Sequence, residues 1–113
     1  MMKDLDSLRA QYQEKLRASV EKIRQVDLGG PIQRISLFGS YARGRADLCT
    51  DLDILLVAPS EKPFVERLKE IRRRLSLPVD YDVFWYTPEE FDRMKNRPFL
   101  KHALKDEVVL YEA

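Results

Sequence analysis

LFGSYARGRADLCTDLDILLVAP, residues 37–59, joins two strand-like segments through a loop rich in turn formers and arginine. The first segment ends at Gly39-Ser40; the second opens with Asp51 and Asp53, one residue apart. Aspartate is a poor strand former, and at alternate strand positions two carboxylates share a face and repel. At roughly 3.3 Å per residue the pair is about 6 to 7 Å apart, a spacing that suits a divalent cation held between them. Magnesium prefers oxygen ligands and commonly bridges carboxylates to substrate phosphates. Gly39 and Ser40 fall where a strand turns into a short helical turn, which presents backbone N–H groups and a hydroxyl as a phosphate cradle. Arg43 and Arg45 lie in the same loop. Guanidinium groups match phosphate oxygens, though Arg43 could equally tie the loop to a carboxylate.

Working outward, Leu5, Leu8, Tyr12, Leu16, Val20, Ile23 and Val26 recur at spacings of three and four, which predicts an amphipathic helix over about 3–27, stopped by Gly29, Gly30 and Pro31. Residues 32–38 and 51–58 read as buried strands, and 61–75 as a helix. Residues 77–86, LPVDYDVFWY, read as a third strand. Thr87, Pro88 and Glu90 form the signature of a capping box, so another helix starts there, breaks near Pro98 and resumes to about Asp106. The final VVLYE is extended and docks on the sheet edge or on a partner. The loop between the first two strands is too short for a crossover helix. The expected fold class is therefore α/β (α+β): a small mixed β-sheet flanked by α-helices.

The totals restrict the function. With 113 residues the chain is one domain, 1–113, with its core over about 31–113. Twenty basic and nineteen acidic residues give a net charge of +1, which argues against a general nucleic-acid binder held by phosphate neutralisation alone and leaves a local anionic ligand open. Cys49 is the single cysteine and His102 the single histidine, so no disulfide and no Cys/His metal cluster is expected. No apolar run approaches a membrane span and the N-terminus has no apolar signal region, so a cytoplasmic protein is expected. A third carboxylate for the metal must come from another strand, and Asp80 and Asp82 both qualify. Arg72-Arg73-Arg74 looks like a nucleic-acid patch, but on an amphipathic helix beside Glu66 and Glu70 it reads rather as a solvated face. Cys49 reads as a loop thiol and His102 as a helix-surface residue. Phe84, Trp85 and Tyr86 read as core, although an aromatic beside the metal could stack on a base.

Gly39-Ser40, ten residues, then Asp51-Leu52-Asp53, with Ala42-Arg43-Gly44 in the loop, resembles the nucleotidyltransferase superfamily related to DNA polymerase beta, and within it the minimal nucleotidyltransferases. The likeness runs from Ile32 through VDYDVFWYTPEEF to FLKHALKDEVVLYE. Thr50 stands where many members have serine, which keeps a hydroxyl. The resemblance implies a nucleotidyltransferase fold and transfer of a nucleoside monophosphate, AMP from ATP, to a hydroxyl. It implies two Mg2+ ions on Asp51, Asp53 and Asp82, the last favoured over Asp80, and triphosphate binding by Gly39, Ser40 and Arg43. It also implies a partner: similar chains are antitoxins that adenylylate a tyrosine of a HEPN ribonuclease toxin. A binding module that silences such a toxin by occlusion is the alternative, and self-association is open.

Overall fold

In the computed structural model, which describes residues 2–44 and 51–113, a four-stranded mixed sheet is covered by helices on both faces, as the sequence predicts. The elements are α1 (Met2–Arg24), β1 (Arg34–Phe38), α2 (Gly39–Ala42), β2 (Leu52–Val57), α3 (Phe64–Arg74), β3 (Tyr81–Tyr86), α4 (Pro88–Met94), α5 (Pro98–Lys105) and β4 (Val108–Glu112). The sheet order is β3-β2-β1-β4. β1 and β2 pair antiparallel across the short loop, whereas β2 and β3 pair parallel through the α3 crossover. Arg45, Cys49 and Thr50 lie outside the described residues.

Because both faces are covered, β2 is buried along its length except at Asp53, which is half-buried. One face carries Ile35, Leu37, Leu52, Ile54, Leu56, Val83 and Trp85, packed with Leu16 and Ile23 of α1 and Ile71 of α3. The other carries Leu55, Val57 and Tyr86, packed with Leu100 of α5. Trp85 is core as expected, and its indole N–H donates to the Ala58 carbonyl at 2.9 Å.

α1 ends at Arg24, three residues before the expected 27. The Gln25 and Val26 amides donate to carbonyls three residues back, which tightens the last turn. Asp27 then accepts from the Gly29 amide at 2.8 Å in a local turn that competes with further helix. At the other end of α1, Leu5 and Leu8 remain exposed. No described helix is long and apolar enough to cross a membrane.

VVLYE docks on the sheet edge, as β4 antiparallel to β1. Arg34 holds it from both ends: its guanidinium pairs with Glu107 just before the strand and with Glu112 at 3.0 Å within it.

The Thr87 capping box forms as read: the Glu90 amide donates to Thr87 Oγ1 and the Thr87 amide to Glu90 Oε1. Sequence did not reveal its lock. Arg67 of α3 is buried, donates bidentately to Glu90 at 2.6 and 3.1 Å, and also reaches the carbonyls of Lys62 and Trp85. These bonds, Arg67's foremost, lower the Glu90 pKa. A lowered folded-state pKa contributes stability above the ordinary carboxylate range, lost as pH falls through the folded value. Arg67→Met should destabilise the protein by about 3 kcal/mol in urea unfolding, since it strands a partly buried carboxylate. Glu90→Gln should flatten the acid side of the stability profile.

Candidate active site

Gly39, Arg43, Asp51, Asp53 and Asp82 all come from one end of the sheet, where β1 ends and β2 and β3 begin. The parallel register pairs Asp53 with Asp82 on neighbouring strands, roughly 4.8 Å apart, with their side chains on the same face. The antiparallel register pairs Asp53 with Phe38, the residue before Gly39. Asp80 lies just before β3, where its carbonyl accepts from the Leu52 amide at 3.1 Å. Its backbone therefore helps align the strands, while Asp82 has the place beside Asp53.

Gly39 opens the four-residue α2 with φ +76°, a conformation L side chains rarely adopt. A Cβ there would come within 2.2 Å of Asp53 Oδ2. The missing side chain is thus the space the carboxylate occupies, and it brings the backbone of the Gly39-Ser40 turn against the acid.

Electrostatics tie the same residues together. Burial pushes the Asp53 pKa up, the charges of Asp82 and Asp51 push it further, and Arg43 opposes them. Among the described residues no three His, Cys, Asp or Glu side chains are drawn together tightly enough to hold a metal ion. Side chains that repel do not converge on their own. The donors at this end of the sheet are all carboxylate oxygens, the ligand type a hard divalent cation takes, and Asp53 feels the charges of both Asp82 and Asp51.

Two hollows flank the carboxylates. On the β1 side, Phe38, Gly39, Arg43, Phe99, His102 and Ala103 line a pocket of about 250 Å³. Phe38, Phe84 and Phe99 pack there as a ring cluster with centroids 5.2 to 6.1 Å apart. His102 is exposed on α5, as expected. On the β3 side, a cleft of about 550 Å³ runs past Asp51 and Asp82 to Arg72 and Tyr81. Neither Arg72, read as one of three solvated arginines, nor Tyr81 was singled out by sequence. Their only signal was Tyr81's place between Asp80 and Asp82.

A family model described as nucleotidyltransferase domain matches residues 14–111. A solved structure from Sulfolobus solfataricus, provisionally assigned as a nucleotidyltransferase, is 26% identical with a TM-score of 0.57, covering 89% of this chain and 86% of its own. A second, a toxin-antitoxin structure with AMP-PNP, shares the fold at 19% identity and a TM-score of 0.55, covering 88% of this chain and 73% of its own. No curated protein matches the chain.

Asp53 carries a raised pKa, so its ionised form opposes folding at neutral pH and the penalty disappears as pH falls through the folded value. In the absence of divalent metal, Asp53→Asn should therefore melt a few degrees higher than wild type at pH 7. The gain should shrink toward pH 4 in thermal melts.

Proposed function

The chain belongs to the nucleotidyltransferase domain family, and from that premise we propose that it is a magnesium-dependent transferase carrying AMP from ATP to a hydroxyl. In this reading the acceptor is a tyrosine of a HEPN-type ribonuclease toxin, and the protein is its cytoplasmic antitoxin. The observation that carries the reading is the register that sets Asp53 beside Asp82, with Asp51 adjacent and Gly39 packed on Asp53.

Asp51, Asp53 and Asp82 would hold the two magnesium ions. When bound, the ions would polarise the α-phosphate and offset charge on the attacking and leaving oxygens. Gly39 and Ser40 supply backbone N–H groups and a hydroxyl to the β- and γ-phosphates, and Arg43 adds a guanidinium. Asp82 takes the proton of the acceptor hydroxyl as its oxygen bonds to the α-phosphorus and pyrophosphate leaves. The half-buried setting of Asp53 limits competing water.

A partner is supported by uncovered apolar surface. Leu5 and Leu8 on α1, Phe99 on α5, and Val108, Val109 and Tyr111 on the edge strand β4 are all exposed. A solved structure that shares the fold at 19% identity is itself a toxin-antitoxin with AMP-PNP, which supports a partner of this kind.

Removing the general base should cost about 100-fold or more in rate. Asp82→Asn should therefore abolish transfer, while Asp80→Asn stays within about threefold of wild type; pyrophosphate release from ATP in magnesium measures both, and reversed effects would move the role to Asp80. Co-expression with a helical ribonuclease partner, followed by intact-mass measurement, should show AMP-sized additions on the partner. These should vanish with Asp51→Asn plus Asp53→Asn. Full neutralisation by the double variant with no mass shift would replace transfer by occlusion.

A further inference from the structure

A Cβ on Gly39 would meet Asp53 Oδ2, and the same residue lines the hollow of about 250 Å³ that it shares with Phe38, Arg43, Phe99, His102 and Ala103. This hollow lies on the face of the sheet that carries Asp53 and Asp82. Phe38 pairs with Asp53 in the β1–β2 register, and Leu100 of α5 clusters with Leu55 and Val57 of that face. Two short helices meet over it. Arg43 stands one turn after Gly39, its amide bound to the Gly39 carbonyl at 3.1 Å. Phe99, His102 and Ala103 recur at the three- and four-residue spacing that sets them on one flank of α5.

The charges around this hollow set it apart from the cleft on the β3 side. Among the described residues that cleft is lined by Asp51, Asp80 and Asp82 against Arg72, a balance that repels phosphate. Among the same residues no carboxylate lines the hollow beside Gly39, whereas Arg43 and His102 do. Both side chains are on exposed residues, and neither the guanidinium nor the imidazole makes a hydrogen bond or an ion pair with a described residue. Their N–H groups are open to a ligand. A guanidinium always donates, and an imidazole donates at least one N–H in either protonation state. Phe38 and Phe99, with ring centroids 6.1 Å apart, add apolar wall, which strengthens a charged contact made beside it. At about 250 Å³ the hollow falls below the roughly 300–1,000 Å³ that encloses a whole small ligand, so it suits one end of a larger one.

We propose that this hollow holds the terminal phosphates of the triphosphate and then the leaving pyrophosphate, and that His102 is a phosphate-binding residue supplied by α5. The inference rests on the transfer reading above and extends its phosphate side from the Gly39 turn to a second element. The acceptor oxygen bonds to the α-phosphorus and its proton passes to Asp82. The bond from that phosphorus to the bridging oxygen breaks, and its electron pair goes to pyrophosphate. Negative charge gathers on the group between Arg43 and His102, which donate to its oxygens. A histidine that reads in the sequence as helix surface thereby joins α5 to the nucleotide.

The test measures binding of pyrophosphate, ATP and AMP, each with magnesium, to the full chain by calorimetry. His102→Ala should weaken pyrophosphate and ATP about tenfold, the loss expected for one hydrogen bond to a charged group, and leave AMP, which lacks the terminal phosphates, within about twofold. His102→Lys returns a cationic donor and should recover pyrophosphate affinity to within about threefold of wild type. Lys101→Ala, at the neighbouring position of α5 and outside the lining of the hollow, should leave all three within about twofold. Unchanged pyrophosphate binding in His102→Ala overturns the inference. So does an equal loss for AMP, or a lysine variant no better than the alanine one. Those outcomes leave transfer standing wherever wild type releases pyrophosphate from ATP. A wild type that binds neither ATP nor pyrophosphate overturns the transfer reading and this inference with it.

Discussion

Parallel pairing of β2 with β3 puts two carboxylates on adjacent strands, and much of the remaining structure serves to hold that unfavourable arrangement. Asp53 and Asp82 meet because Leu52 is paired with Tyr81 and the Leu52 amide is bound to the Asp80 carbonyl. That pairing needs a crossover helix, and α3 supplies it. Arg67 of α3 fastens the crossover to the far end of β3 through the Trp85 carbonyl and Glu90. At the near end the fold leaves out a side chain, at Gly39, so that a backbone turn can rest against Asp53. Repulsion at one end of the strand pair is thus offset by a partly buried ion pair and continuous apolar burial along the rest.

The division of labour between the two sheet faces explains why so short a chain can carry a polar site. The large core, with Trp85, Leu16, Ile23 and Ile71, lies on the α1 and α3 face. The smaller cluster under α4 and α5 shares its face with Asp53 and Asp82. Polar groups are therefore confined to the strand ends of the less heavily packed side, where few apolar contacts are given up.

Much of this was legible in the chain. The period of the apolar residues marks the helices and strands, the Thr87-Pro88-Glu90 triplet marks the start of α4, and the spacing of Gly39-Ser40 to Asp51 and Asp53 marks the candidate site. What was not legible depends on pairing across space. Asp80 and Asp82 have the same strand parity, so only the register with Asp53 separates them. Arg67 looks like any charged residue of an amphipathic helix until Glu90, 23 residues later, is folded over it. The three arginines of 72–74 likewise have one sequence description and separate settings: Arg72 lies on Tyr81, Arg74 donates to the Asp27 carbonyl, and Arg73 is exposed. The early end of α1 was hidden because Asp27 forms its turn before the glycines are reached.

The position of β4 has a consequence for the timing of biosynthesis. Arg34 and Glu112, whose side chains join the first strand to the last, are 78 residues apart in the chain. β1 bears the Gly39 turn at its end, and on one edge it has no neighbour until residues 108–112 have been made. This edge of the sheet therefore closes only once residues 108–112 are present, and such long-range closure is slow compared with local helix formation. Until then the Gly39 turn sits at the end of an open-edged strand. C-terminal trimming before β4 would leave that edge open permanently and offer it to other strands.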